Sequence, residues 1–277
     1  MPLKWIARTV QSHAATIPAL KRIYAGLVTR RKRAYDVLVR KTRHVIDRTS
    51  LAKAAESRLE AFGSPETVRT GSFTFQANGF HRPLPWEPIL DSGVTHDRPF
   101  LLTLRNAELI GHCAVVLDAA GNLVVESTES EWHYFAFSWC SPAVLFRRRT
   151  KLERLPGRLV SLASPLCCNY FHFVTSNLAT VACAIDEVGD RFQDVRFLVE
   201  ERVPFQAALL QTLLRIPEER IVLWRGGRAH VEELLIPSCR HTRASRDIQR
   251  VHSAVAYRKI QHLAQAADVP PPPMRHR

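Results

Sequence analysis

The run Ser161-Leu162-Ala163-Ser164-Pro165-Leu166-Cys167-Cys168-Asn169-Tyr170-Phe171-His172-Phe173 gathers hydroxyl, thiol, amide, phenol and imidazole groups into one short stretch. It begins in a compact apolar segment, Leu159-Val160-Ser161-Leu162. It ends in a stretch from Asn169 to Val188 where Phe173, Val174, Leu178, Val181, Ala182 and Ile185 fall on roughly one helical face. The run therefore reads as the join between a strand and a long helix. Ligands of open α/β sheets bind in the crevice outside the carboxyl ends of the strands, so a polar cluster at this join is well placed for chemistry. His172 falls in the first helical turn, where the positive end of the helix dipole disfavours an imidazolium. A neutral ring there can accept a proton. Structural readings stand beside these. Asn169 can be the N-cap of the helix, and His172 can be a hydrogen-bonded histidine packed between Phe171 and Phe173.

Other chemistry-bearing patterns are absent from the sequence. There is no P-loop, GxGxxG, HExxH, GxSxG or EF-hand pattern, and Gly226-Gly227 reads as a turn. The six cysteines, at 113, 140, 167, 168, 183 and 239, include one adjacent pair and no CxxC. They are too few for a disulfide scaffold of this size and lack zinc spacing, so they read as small buried side chains or free thiols in a reducing compartment. Neither a metal nor a cofactor is expected.

The elements that position these groups follow from hydrophobic periodicity. Thr16 to Leu59 reads as one or two basic amphipathic helices interrupted by Arg30-Arg31-Lys32-Arg33. Those charges are either a solvated face packed beside the main domain or a membrane-surface helix drawn to anionic lipid. Residues 63–99 read as a connecting region with one short strand. Phe100 to Leu104, Ala114 to Leu117 and Leu123 to Glu126 read as short strands, with a hairpin turn at Asp118-Ala119-Ala120-Gly121-Asn122. Beyond Arg158 strands and helices alternate: strands at Val195 to Val199, Arg220 to Leu223 and Glu233 to Ile236, helices at Asn169 to Val188 and Phe205 to Leu214. This pattern favours a parallel sheet covered on both faces. A last helix, Ala244 to Ala267, runs into Pro270 to Pro273, a stiff polyproline spacer.

Length and charge bound the class. The 277 residues give ample chain for a buried core, and 46% apolar against 23% charged residues is the composition of a globular protein. No apolar run approaches the roughly 20 residues a bilayer span needs, so a soluble chain is expected. The N-terminus lacks the h-region of a secretory signal, and a cytoplasmic location follows. The net charge of +13 is uneven. Residues 1–60 hold 14 Lys/Arg against 4 Asp/Glu and residues 240–277 hold 8 against 2, whereas residues 61–239 hold 17 against 20. A nucleic-acid groove would carry its excess on the folded body, so nucleic acid is not favoured as a partner.

Asn169-Tyr170-Phe171-His172-Phe173 resembles the Asn-Tyr-Tyr-His-Trp signature of glycosyltransferase family 61, which follows a short strand and opens a helix. Weaker similarities follow in order. Asp118 to Ser127 is similar to the strand-turn-strand that precedes the signature. Pro204-Phe205-Gln206 with Leu209-Leu210 and Ile216 resembles a later helix of the family, with Arg215 standing where the family usually has Gly and Pro217 following. Leu234-Leu235-Ile236-Pro237-Ser238 is similar to the strand and Pro-Ser that end the first half. The similarity covers roughly residues 109–239.

The resemblance implies an α/β fold: the Rossmann-like half of a GT-B-type glycosyltransferase, with a basic helical N-terminal extension and a small β-rich segment. The organisation expected is an extension at 1–62, a connecting and β-rich segment at 63–157, a Rossmann-like domain at 158–269 and a Pro-rich end at 270–277. The activity implied is inverting transfer from a nucleotide-sugar donor to a glycan or lipid-linked acceptor in cell-surface polysaccharide or lipopolysaccharide assembly, without an essential metal. The N-terminal helices would make peripheral contact with anionic membrane. His172 would be the catalytic base or position the acceptor, with Asn169 and Tyr170 as substrate-binding residues. The second, nucleotide-binding half would begin where Met274-Arg275-His276-Arg277 stands, so that half is expected to be missing through truncation or supplied by a partner. The alternative reading is a non-catalytic binding protein using the basic helices for anionic membrane or nucleic acid.

Overall fold

The computed structural model describes residues 45–46, 50, 52–68, 94–124, 151–164, 167–238, 241–243, 250–252 and 254–267. Most of the expected N-terminal helical region and the proline run lie outside the described residues. The described part of the N-terminal region contains two short strands, with turns at 52–56. Val45–Ile46 is β1 and Ser57–Ala61 is β2, and β2 pairs antiparallel with Phe100–Ile110, β5. The helix expected through Leu59 is corrected there: Leu59 lies opposite Leu102 and packs against the core, and tertiary pairing overrides local periodicity. The connecting region holds two short strands, Glu66–Val68 (β3) and Val94–His96 (β4), which pair antiparallel.

The hairpin reading at 118–122 holds. Val115–Leu117 (β6) and Leu123–Val124 (β7) flank a turn in which the Asp118 carboxylate accepts from the Asn122 backbone N–H at 2.7 Å and from its side-chain amide at 2.8 Å.

The strand and helix alternation also holds, with longer strands than the apolar runs indicate. Leu152–Ser161 (β8) leads through the helix Tyr170–His172 (α1), a π-helical segment Phe173–Leu178 and Ala179–Val188 (α2) to Arg196–Glu200 (β9). Pro204–Leu214 (α3) leads to Ile221–Trp224 (β10), and Arg228–Pro237 is β11. His241–Arg243 (β12) and Arg250–His252 (β13) form a small hairpin, so the last helix, Ala254–Ala266 (α4), starts later than Ala244. The Glu66 carboxylate accepts from the Ala254 and Val255 N–H groups and caps α4.

Nine strands form one mixed sheet in the order β1-β7-β6-β5-β11-β8-β9-β10, with β2 also on β5. The parallel sheet expected is realised in β11-β8-β9-β10 and in the short β1-β7 pair, while β5 joins β11 antiparallel along nearly its whole length. The boundary expected at 157/158 falls inside β8, and the segments on either side of it contribute to this one sheet. Alternation sorts the core. Leu101, Val160, Phe197, Val199 and Leu235 face α2, α3 and α4, whereas Leu102, Leu159, Leu198, Leu234 and Ile236 face a second cluster built of strand and loop residues. Pro156-Gly157 sits at the register shift between β8 and β11, where the Glu232 carboxylate accepts the Gly157 N–H at 2.7 Å.

The Gly226-Gly227 turn locks onto the β5–β6 turn. Gly111 N–H donates to Gly227 O, the Trp224 indole donates to Gly111 O, and the His112 ring lies where a Cβ on Gly226 would approach within 2.5 Å. Among the described residues no helix is long and apolar enough to cross a membrane.

Candidate functional site

β8 and β11 are parallel neighbours whose chains leave in different directions. After Ser161 the chain crosses over the sheet through α1 and α2 to β9 on one side, while β11 borders the antiparallel β5 on the other. A cavity of about 60 Å³ opens at the carboxyl ends of these two strands. Its polar wall is Ser161 at the end of β8, Ser164 from the β8–α1 loop, Ser176 and Asn177 from the π-helical segment, and Thr180 from α2. Ala114, Val116, Leu234 and Ile236 make its apolar side. No lining side chain is charged. Among the described residues no group of three or more His, Cys, Asp or Glu is arranged to hold a metal ion.

The π-helical segment is what brings two successive polar residues, Ser176 and Asn177, to the cavity together. Wide turns of this kind re-aim side chains and occur often at functional sites. The Asn177 amide donates to Leu162 O at 3.1 Å and to Ser164 Oγ at 3.2 Å, tying the helix to the loop after β8.

The three site residues expected from sequence lie together in the first turn of this helix and line no part of the cavity. Asn169 is the N-cap: its side-chain oxygen accepts the His172 N–H at 3.3 Å. Tyr170 is 58% exposed, with its ring edge-on to Phe205 at 5.4 Å between centroids. His172 is half-buried, its ring 5.6 Å from that of Phe171. Phe173 is fully buried and also meets Phe205, at 5.7 Å.

The Phe205-Gln206 pair has a definite job. Gln206 is fully buried at the start of α3. Its side-chain oxygen accepts the Glu200 N–H at 2.8 Å and its amide donates to Cys167 O at 2.8 Å, so α3 clamps the end of β9 to the loop before α1. The Cys167 thiol donates to the Glu200 carboxylate at 3.5 Å. Burial pushes this thiol up to about 12, with the Glu200 charge adding to the effect. Cys168 is exposed, and its thiol is also raised, by partial burial first and then by Glu200. Cys113, Cys167, Cys168 and Cys183 are free thiols.

Ser161 and Ser164 belong to the polar run that marks the join, but Ser176, Asn177 and Thr180 carry only a faint signal in sequence. They are three polar residues at i, i+1 and i+4 in a helix that also carries Thr175, Asp186 and Glu187, and only the crossing of that helix over the end of β8 turns them into a wall.

The fold and the crevice define an α/β chain with a mixed sheet and a small neutral polar cavity at a strand switch point. Searches of protein-family models, of curated proteins and of solved structures find no match.

Proposed function

We propose that this chain is a glycosyltransferase of the family 61 type, inverting and nucleotide-sugar dependent, acting in cell-surface polysaccharide or lipopolysaccharide assembly at the cytoplasmic side of a membrane. One observation carries the reading. The two segments that most resemble the family, Asn169 to Phe173 and Pro204 to Gln206, pack directly on each other through Tyr170, Phe173 and Phe205 at the carboxyl end of the parallel strands. The parallel order β10-β9-β8, with helical crossovers after β8 and β9, supports a Rossmann-like, GT-B-type half, although three residues rather than a helix join β10 to β11. Arg215 supports it independently. It ends α3 in the left-handed region, at φ 55°, the conformation that explains why the family usually has Gly at this point.

In the proposed reaction the acceptor oxygen forms a bond to the anomeric carbon as the bond from that carbon to the diphosphate oxygen breaks. The acceptor proton passes to the base, and the nucleoside diphosphate leaves with the bonding pair. His172, in the first turn of the helix that follows the β8–α1 loop, is the base assigned. Asn169 and Tyr170 flank it.

The test is genetic and chemical together. Deleting the gene from its host should remove one glycosyl residue from the surface glycan, and the wild-type chain should restore it. A His172→Ala chain present at equal level and with nearly unchanged melting temperature should not. An unchanged glycan after deletion would overturn the reading, and a large loss of stability in His172→Ala would reassign that ring to packing.

A further inference from the structure

The cavity between β8 and β11 has a hydrogen-bonding pattern of its own. Leu162 O can only accept, so the Asn177 atom facing it at 3.1 Å must be the amide nitrogen. The same nitrogen donates to Ser164 Oγ at 3.2 Å. Both amide protons are thereby committed, and the group that Asn177 offers the cavity is its carbonyl oxygen, an acceptor. Ser164, having accepted from Asn177, offers its hydroxyl proton. One acceptor and one donor thus sit on the same wall, fixed to each other by a hydrogen bond.

A ligand group that meets both must donate and accept at once, which is what an alcohol does. A carboxylate or phosphate meets only the donor and would place its charge against Asn177 Oδ1 in a cavity with no cation on its lining. An ammonium meets only the acceptor. Size narrows the class further. At about 60 Å³, and with roughly 10–15 Å³ of such space needed per water, the cavity admits about four to six heavy atoms. That is a hydroxymethyl branch or one hydroxylated edge of a sugar ring, with the rest of the molecule outside. Ala114, Val116, Leu234 and Ile236 supply the apolar side against which the carbons of that edge would lie.

The geometry points to this cavity as the specificity pocket for an uncharged, hydroxyl-bearing edge of a hexopyranose, read by Asn177 Oδ1 as acceptor and Ser164 Oγ as donor. The assignment rests on the glycosyltransferase reading for the identity of the bound molecule as sugar acceptor. The pocket's preference for a neutral alcohol stands on its lining alone.

Binding, without turnover, tests it. The full chain is titrated with a panel of methyl hexopyranosides, their 6-deoxy analogues, the corresponding uronic acids and hexose 6-phosphates, and saturation-transfer NMR and calorimetry read the affinities. At least one neutral hexoside should bind, and replacing the inserted hydroxyl by hydrogen should weaken it about tenfold. The uronic acid and phosphate should bind weakest. Ser164→Ala keeps the Asn177 to Leu162 contact and removes the donor, so it should reproduce the tenfold loss for the hydroxylated ligand and show no loss for its deoxy analogue. Equal affinity for charged and neutral sugars, a Ser164→Ala chain that binds normally, or no binding of any neutral hexoside would each overturn the proposal. Binding by these rules in a protein whose deletion leaves surface glycans unchanged would retain the pocket and discard the transferase.

Discussion

Gln206 donates to the Cys167 carbonyl at 2.8 Å across a sequence separation of 39, from a side chain with no solvent exposure. The bond joins the first turn of α3 to the loop that delivers the chain into α1. Its other half, Glu200 N–H to Gln206 Oε1, holds the end of β9 to the same amide. One side chain therefore fixes the relative placement of the two segments on which the functional reading depends.

Removing it should be felt throughout the fold. Gln206→Leu leaves the Glu200 N–H and the Cys167 carbonyl buried without their partner, and each orphaned group costs about 1–3 kcal/mol. A loss of about 3 kcal/mol in urea unfolding is expected. Gln206→Glu keeps the acceptor for Glu200 N–H but loses the donor to Cys167 O, so it should also destabilise. A change below half a kcal/mol in both variants would show that the clamp is not a determinant of stability.

Alkaline pH should weaken the fold through Cys167. The folded chain holds that thiol proton up to about 12, from an ordinary 9.0, whereas the unfolded chain releases it near 9.0. Between those values the unfolded state binds fewer protons, so unfolding free energy falls as pH rises through the window and is fully retained below it. The expected slope is about 1 kcal/mol per pH unit between pH 9 and 11, absent in Cys167→Ala. Mass mapping after brief alkylation at pH 8 should find Cys168 modified well ahead of Cys167. Parallel stability profiles for wild type and Cys167→Ala, or prompt labelling of Cys167, would contradict its burial.

β5 and β11 are joined by a fork-shaped ion pair, Arg228 to Glu108 at 2.6 and 3.0 Å, with the Glu108 side chain only 7% exposed. Glu108→Gln should destabilise by about 1–2 kcal/mol, because the half-buried Arg228 guanidinium loses the carboxylate charge onto which it forks. The double variant Glu108→Leu/Arg228→Met should recover most of that loss. Chemical denaturation of the three chains measures it, and a double variant no more stable than Glu108→Gln would contradict this account.

Arg215 gives a prediction of the opposite sign. Its left-handed backbone is strained for any residue with a Cβ, while its N–H and that of Ile216 close the end of α3 on Leu210 O. Arg215→Gly removes that strain and should raise unfolding free energy by about 1 kcal/mol. Arg215→Val should lower it, since a β-branched residue tolerates the conformation least.

Much of the fold is legible in the residues themselves. The apolar runs within 159–161 and 196–199 lie in strands because strands covered on both faces carry continuous hydrophobicity, whereas the run at 221–223 lies in the edge strand β10 with Leu223 exposed, and Asn169 begins a helix because its side chain can satisfy a free N–H. The errors are of two kinds. Ser57 to Leu59 carries a helical period yet lies in β2, because pairing with β5 buries Leu59 more effectively than an isolated helix could. β5 and β11 extend far beyond their apolar cores, because Arg228 and Glu233 find partners in Glu108 and Arg158 and so remain in the sheet.

Local chemistry in the sequence determined where the chain turns, where the 170–188 helix begins and which polar residues gather at the end of β8. The tertiary structure alone decided which of them share a wall. Asn169, Tyr170 and His172 are neighbours in sequence and stay at the helix tip, while Ser161, Ser164, Ser176, Asn177 and Thr180 meet only because that helix crosses the end of β8 and widens by one residue per turn as it does so. Periodicity reports which face of an element is apolar. The distance between faces of different elements is set by packing, and no pattern within one element encodes it.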